Sequence, residues 1–528
     1  MPTLARSGPV QTVPGSYPRY ESLVHMLAAA VEAQPGKSAV ICGATRLCYA
    51  ELGAAVAGLA DRLAGMVTRG GRVAILVPNS AETVVAVFGA MAAHCQAAPI
   101  NPFFTERELD AVITGLEPAV IVCVDATLDF AGRQSARLGL PEPVNMISAT
   151  HGLGSCIEAG AGGLAERHLP RGEDLAMLLY TGGTTGKPKG VNHHHRTLGW
   201  SSLLHCTAWP VDFGAEVILN VAPLFHIWGL GYGVLVSVFA QSTFVLIPRY
   251  EPDAVLGAIA EHRVSIFGGG PAPIYAGLLA SPEAAAVDYS TLRYCLSGGA
   301  PCPAELHRNW KKLTGCELFE GWGMSEGAPL CLNPADGVRK LTSVGRPVPA
   351  TTIEVVDLDT GRSVLGIGES GEVRVRGPQI MSGYRNEPEE TAIALRDGWL
   401  YTGDIGYIDE DGYLFLVDRK KDMVIVGGYN VYPREIDELL FQHPKILEAS
   451  TVGRPDDRLG EVLVAFVVAR RGEQLGEEEV LEYCRSNLVK YKRPVTVRFV
   501  DSLPRTAANK IDKIQLRKLA ASRDDQSS

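Results

Sequence analysis

Apolar residues recur in two rhythms along the first four-fifths of the chain. In YESLVHMLAAAVEAQPG, the residues Leu23, Met26, Leu27, Ala30 and Val31 share one helical face, and Pro35-Gly36 stops the run. SAVIC then reads as a strand, YAELGAAVAGLADRLAGM as a helix, RVAILVP as a strand and AETVVAVFGAMAAHC as a helix. AVIVCV, STFVLIP, VSIFGG and LRYCLSGG are short apolar runs of the kind that form strands buried on both faces. The helical stretches DAVLGAIAEH and PAELHRNWKKL lie between some of them. This alternation predicts an α/β fold of largely parallel sheets with helices packed outside. In such folds ligands sit in the loops at the carboxyl ends of the strands.

The rhythm changes near residue 345. GEVRVRG, DGWLYTGDIGYIDEDGYLFLVDRKKD and MVIVGGYNVYP are shorter runs with Gly and Asp turns, which predicts an antiparallel, β-rich subregion. REIDELLFQHP then reads as a helix, EVLVAFVVA as a strand and EEEVLEYCRSNL as a helix. A domain boundary is expected at DRKKD, Asp418–Asp422. It separates a large N-terminal domain, residues 1–417, from a small α+β C-terminal domain, residues 418–528.

A length of 528 residues agrees with two or more domains. With 46% hydrophobic and 20% charged residues the chain can build a large core without a disulfide or metal staple. A net charge of -10 argues against a general nucleic-acid binder. Eleven cysteines with no CxxC pair read as reduced, mostly buried thiols. The N-terminal MPTLARSGPVQTVPGSYPRY has Pro and Gly where a signal peptide needs an apolar stretch. Runs such as LGYGVLVSVFA fall short of the roughly 20 residues of a membrane span. The expectation is a cytoplasmic protein.

The stretch YTGGTTGKPKG, residues 180–190, follows the apolar run Leu175 to Tyr180. Gly182, Gly183, Gly186 and Gly190 let the main chain approach a ligand, so that successive N–H groups converge on an anion. Thr181, Thr184 and Thr185 add hydroxyls, and Lys187 and Lys189 add charge. The composition fits a polyphosphate cradle better than a plain surface turn. It is not the usual P-loop: Lys187 is followed by Pro188, which has no N–H to offer.

The same stretch resembles the phosphate-binding signature of the adenylate-forming superfamily, which includes acyl-CoA synthetases, with Gly182 where the usual form has Ser. Further segments resemble that family in its order. PLFHIWG (Pro223 to Gly229) is similar to the segment whose His lies between acyl pocket and thiol tunnel. LSGGAP (Leu296 to Pro301) is similar to the adenine loop. EGWGMSEG (Glu320 to Gly327) carries Trp322 for Tyr and Ser325 for Thr. YTGD (Tyr401 to Asp404) resembles the ribose segment, and DRKKDMVIVGGYNVYPREI (Asp418 to Ile436) the hinge and its following loop. PRTAANKIDK (Pro504 to Lys513) resembles the C-terminal lysine motif, with Asn509 for Gly.

The resemblance implies a two-step reaction. A carboxylate attacks the α-phosphate of ATP, giving acyl-AMP and pyrophosphate; the thiol of coenzyme A then takes the acyl group and releases AMP. Both steps need alignment and charge neutralisation. The resemblance assigns Mg²⁺ to Glu326 and Thr184, since a hard cation prefers oxygen. It assigns nucleotide contacts to Thr181, Gly182, Gly183, Thr185, Gly186, Lys187, Lys189, Gly299, Ala300, Pro301, Gly321, Trp322, Gly323, Ser325, Asp404 and Arg419. Lys510 would bridge the attacking carboxylate and the α-phosphate. Lys421 would be the hinge on which the C-terminal domain rotates between steps, bringing Gly427 and Gly428 to the pantetheine tunnel. Trp228, Gly270 and Gly298 would line the acyl pocket. The residues alone leave His226 open between a pocket gate, a carboxylate contact and a packed core histidine. They leave Trp322 open between stacking and core packing.

The implied activity is an ATP-dependent acyl-CoA synthetase for a fatty or aromatic acid. No acidic residue stands between Asn220 and Ser242 to hold an amino-acid ammonium. A loader of a carrier protein and a silent binding protein on the same fold are the alternatives. CoA dependence separates the first, and the joint presence of Glu326, Asp404 and Lys510 counts against the second. A homodimer is an expectation of the resemblance alone. HHH at His193–His195 reads as a surface or packing feature and DEDG at Asp409–Gly412 as a hairpin turn. DSL at Asp501–Leu503 resembles a phosphopantetheine site but leads straight into the lysine motif, with no room for a carrier domain.

Overall fold

A computed structural model of the chain describes residues 17–164, 168–181, 188–300, 302–506 and 511–522. The periodic segments form the elements their patterns predict. The first apolar stripe becomes the helix Leu23–Ala33, and the Ser22 side chain caps it by accepting the His25 N–H. Tyr49–Ala64 and Ala81–Ala92 are apolar on nearly every side and are correspondingly buried. The chain divides into two compact units, one of residues 1–352 and 376–398, the other of residues 353–375 and 399–528.

Among its described residues the first unit holds a nine-stranded and a seven-stranded sheet. In the larger sheet the strands Ser38–Cys42, Thr243–Leu246, Val217–Asn220, Ile266–Gly270, Tyr294–Gly298 and Leu318–Met324 run parallel in that spatial order. Their carboxyl ends therefore share one edge. In the smaller sheet Val120–Cys123, Arg72–Leu76, Gln96–Pro99 and Leu175–Tyr180 are parallel neighbours. Leu175–Tyr180 then pairs antiparallel with Gly190–His194, so the glycine-rich stretch lies between two paired strands. A P-loop instead feeds a helix N-terminus and draws on its dipole; here the next described element after the stretch is the strand Gly190–His194. The returning segment 376–398 adds the strand Gly383–Tyr384 to the outer edge, with Tyr384 opposite Val191.

The boundary expected at Asp418 falls inside the second unit. That unit also holds the strand Trp399–Ile408, because it pairs antiparallel with Leu414–Arg419, from Asp404 opposite Arg419 to Ile408 opposite Leu414. The intervening turn is built on Asp409, which accepts the N–H groups of Asp411 and Tyr413, as DEDG predicts. A second sheet joins Val424–Val426, Tyr429–Val431, Ile446–Asp456, Gly460–Ala469 and Thr496–Phe499. The helices Pro433–Phe441 and Glu477–Asn487 cover its apolar face through Ile436, Leu440, Val480 and Cys484.

All eleven cysteines are free thiols, ten of them buried. Among the described residues no helix is long and apolar enough to cross a membrane, and no cluster of His, Cys, Asp and Glu could hold a metal by itself.

Asp437, buried in Pro433–Phe441, accepts the Thr451 N–H at 2.6 Å. Burial pushes its carboxyl from 3.8 up to about 7, against the pull of the Lys513 ammonium and with a further push from Asp418. Between these values the unfolded chain releases a proton that the folded chain retains. Asp437 therefore lowers stability as pH rises through this window, by up to about 1.4 kcal/mol per pH unit. Asp437→Asn should flatten that slope in denaturant unfolding run from pH 4 to 8; an unchanged slope would contradict the assignment.

Candidate active site

The carboxyl ends of the parallel strands deliver the candidate residues to one edge of the larger sheet. Val217–Asn220 leads to His226 and Trp228, Ile266–Gly270 ends on Gly270, Tyr294–Gly298 leads to Gly299 and Ala300, and Leu318–Met324 carries Gly321, Trp322 and Gly323. Trp228 opens a π-helical turn, Trp228–Leu235. Its indole N–H donates to the Gly268 carbonyl at 3.2 Å, and its ring stacks on Tyr232 at 5.6 Å. A Cβ on Gly298 would stand 2.6 Å from the Trp228 ring and 3.0 Å from the Gly321 carbonyl, so only glycine admits the indole there. Gly270, at φ +93, lies beneath the same ring, its own Cβ position 3.8 Å from the indole nitrogen. The three expected pocket residues thus meet around one aromatic wall. His226 is half-buried, and its Nδ1 accepts the Trp228 backbone N–H at 3.2 Å. The imidazole therefore holds the start of that wall.

Trp322 is buried in its strand, opposite Cys331. Gly321 and Gly323 pack against Leu332 and Ala328, where a Cβ would come to 2.5 and 2.8 Å. Close packing against these side chains accounts for both glycines without a ligand. Gly299, at φ +80, makes the turn out of Tyr294–Gly298.

Glu326 is 7% exposed. Its Oε1 accepts the Tyr384 hydroxyl at 2.7 Å, and its carbonyl accepts the Met381 N–H at 2.8 Å. Among the described residues no cation pairs with it. A buried carboxylate without a cation is costly, and a hard oxygen donor suits a Mg²⁺ that arrives on a polyphosphate and takes only one or two protein carboxylates. The preceding Ser325 gives its carbonyl to the Nε2–H of His193 at 2.7 Å. Burial pushes the His193 pKa down to about 4, which keeps the ring neutral. His193 is a packing group behind this turn.

Thr181 closes the glycine-rich stretch: its N–H donates to the Lys189 carbonyl at 2.9 Å, and its hydroxyl accepts the Lys189 N–H at 3.4 Å. The Lys189 ammonium pairs with Glu390 at 2.5 Å and lies 5.1 Å from the Tyr384 ring centroid. Gly182, Gly183, Thr184, Thr185, Gly186, Lys187, Pro301 and Lys510, with Asn509 beside it, lie outside the described residues.

Asp404, Arg419, Lys421, Gly427 and Gly428 belong to the second unit. Asp404 is buried and pairs with the Arg419 Nε at 3.2 Å, as their opposed strand positions dictate. Lys421 is exposed; next to it Asp422 pairs with Arg517 at 2.5 Å. Gly427 and Gly428, at φ +57 and +86, form the two-residue turn between Val424–Val426 and Tyr429–Val431. Two left-handed residues are what such a tight hairpin requires.

Sequence reading missed Tyr384, Glu390 and the support from His193. SGYRNEPEET carries no periodic or compositional mark of chemistry, and its residues reach the site only through the pairing of Gly383–Tyr384 with Gly190–His194.

Comparison with known proteins gives the context of this geometry. The pattern of the AMP-binding enzyme family matches residues 27–385, and that of the AMP-binding enzyme C-terminal domain matches residues 435–510. A long-chain-fatty-acid–CoA ligase of Bacillus subtilis (strain 168) is 37% identical over 84% of this chain and 84% of its own length. A feruloyl-CoA synthase of an Amycolatopsis species is 36% identical over 92% of this chain and 96% of its own. The crystal structure of ATP-bound MatB from Rhodopseudomonas palustris superposes with a TM-score of 0.86 at 33% identity, covering 94% of this chain and 98% of that one.

Gly298→Ala should displace the Trp228 indole and destabilise the first unit by about 1–3 kcal/mol. Thermal melting and tryptophan fluorescence would report it. Most of the loss should vanish in a Trp228→Ala background, and a full loss in that background would place the strain elsewhere.

Proposed function

The chain belongs to the AMP-binding enzyme family, and from that premise we propose that this ATP- and CoA-dependent, AMP-forming ligase activates a compact apolar carboxylic acid, aromatic or medium-chain. The observation that carries the nucleotide half of the reading is that Lys189 and Glu326 meet at one side chain. The Lys189 ammonium lies beside the Tyr384 ring, and Glu326 binds the Tyr384 hydroxyl. A phosphate-binding cation and a metal-binding carboxylate at one ring suit the two charges of a magnesium nucleotide.

In this reading Lys189 and the glycine-rich stretch, with Thr181, Gly182, Gly183, Thr185, Gly186 and Lys187, hold the phosphates. Gly299, Ala300, Pro301, Trp322 and Ser325 surround the base. Bound Mg²⁺, held by Glu326 and Thr184, would neutralise charge on the phosphates. The acid's carboxylate attacks the α-phosphate and pyrophosphate leaves. Lys510 offsets the charge that builds on the attacking and bridging oxygens, and Asp404 with Arg419 fixes the ribose hydroxyls. Rotation about Lys421 then withdraws Lys510 and brings the Gly427–Gly428 turn to the pantetheine arm. The CoA thiol attacks the acyl carbon and AMP departs. His226 acts by anchoring the pocket wall. The eleven free thiols fit operation in the reducing cytoplasm.

The size of the acid is read from Trp228. Its indole covers Gly270 and Gly298, and in this reading it fills space that a long chain would need. The relatives' names span a long-chain fatty acid and a feruloyl group, and the Trp228 wall favours the more compact of the two.

ATP–pyrophosphate exchange against a panel of acids tests the first half-reaction. Lys510→Ala should lower acid-dependent exchange by about 100-fold or more while ATP still binds. Exchange at the wild-type rate in that variant would remove Lys510 from the mechanism. Trp228→Ala should move the best acid toward longer chains by several methylenes. An unchanged preference would remove Trp228 from the pocket. Thioester formed on adding CoA separates a CoA ligase from a carrier-protein loader.

A further inference from the structure

The segment that leaves the first unit at residue 352 and returns at 376 brings back a short strand and a helical turn, Gly383–Tyr384 and Pro388–Ala394. The strand is tied to the exit of the glycine-rich stretch. Tyr384 lies opposite Val191, Gly383 lies opposite Asn192, and the Arg385 N–H donates to the Gly190 carbonyl at 2.8 Å. The Tyr384 N–H is itself held by the Thr391 hydroxyl at 2.9 Å. The backbone of Tyr384 is thus fixed from two directions before its hydroxyl reaches Glu326. A residue so anchored determines where its partner points.

We infer that Tyr384 is a positioning residue for the metal–nucleotide, fixing the Glu326 carboxylate by its hydroxyl so that the second carboxylate oxygen is presented to Mg²⁺. The inference rests on the reading of Glu326 as the metal-binding carboxylate. Three features carry it. The hydrogen bond takes Oε1 only, and among the described residues nothing engages Oε2. The carboxylate is buried, and without this bond no side chain among the described residues would set its rotamer. The same ring stands against Lys189, which Glu390 also holds by an ion pair. One phenol therefore sets the distance between the group for the metal and the group for the phosphate, and a carboxylate free to swing would lose that spacing.

The test separates the hydroxyl from the ring. Tyr384→Phe keeps the packing and the Lys189 contact and removes only the donor. Equilibrium binding of ATP, without any acid, is measured by calorimetry while Mg²⁺ is titrated, beside Glu326→Gln and the double variant. In Tyr384→Phe the Mg²⁺ concentration that half-saturates ATP binding should rise about tenfold. ATP binding in EDTA should stay at the wild-type value. In exchange assays KM for ATP should rise, with KM for the acid unmoved, and the double variant should be no worse than Glu326→Gln alone. A wild-type Mg²⁺ response in Tyr384→Phe, with a shifted one in Glu326→Gln, would overturn the positioning role and leave the Glu326 reading standing. An unshifted response in Glu326→Gln would overturn the reading and the inference with it. Should Tyr384→Phe melt early, Thr391→Val, which cuts the tether to the Tyr384 backbone together with the hydroxyl's bond to the Glu387 carbonyl and leaves the Tyr384 phenol in place, takes its place; the same shift in smaller measure is expected, and no shift refutes the role.

Discussion

Parallel strands end on a common edge, and the chemistry this chain carries depends on that constraint. Each crossover helix returns the chain to the same side, so consecutive strands of the larger sheet release their loops together. His226, Gly270, Gly298 and Trp322 are separated by tens of residues in sequence and are gathered by strand order alone. The apolar runs that fill the strands also set where the polar loops emerge. A register slip in Tyr294–Gly298 would misplace Gly298 under Trp228, and core packing on both faces of these strands opposes such a slip.

Charge burial is the second organising force. Glu326 and Asp404 are nearly closed off from water, and each is managed differently. Asp404 has a guanidinium across the ladder, so its charge is compensated within its own sheet. Among the described residues Glu326 has only a phenol as side-chain partner, which orients a carboxylate without neutralising it. The difference follows from what each group is left able to do. A compensated carboxylate is a stable acceptor for neutral hydroxyls, whereas an uncompensated one draws in a cation.

The extent to which this was legible in the sequence varies with the range of the interaction. Helices such as Leu23–Ala33 and strands such as Arg72–Leu76 follow from local periodicity, because burial of a stripe or a run decides them. The pocket glycines stand in motifs, and the reason for Gly298 emerges only with the indole across from it. For Gly427 and Gly428 the hairpin gives a sufficient physical reason in the turn itself. Tyr384 and Glu390 were not legible, since their place depends on pairing with a strand about 190 residues earlier, as the Gly383–Asn192 register shows. The assignment of Trp399–Ile408 to the second unit was hidden for a related reason. The composition changes gradually past residue 345, while the antiparallel ladder from Asp404 to Arg419 binds across the expected boundary.

In the proposed reading, a pocket wall made of one indole over glycines also limits how selective the ligase can be. An extra methylene in an apolar pocket is worth about 1–3 kcal/mol, which is a graded preference of about 10- to 200-fold. Strict rejection requires a buried polar group that a wrong substrate leaves unpaired. The described wall around Trp228 presents ring faces and glycine backbone, and its one indole N–H is already committed to the Gly268 carbonyl. Discrimination at this wall therefore rests on shape. A shape-based pocket accepts neighbouring acids at graded rates, and in the proposed reading the boundary of that range moves with the volume of the single side chain at position 228.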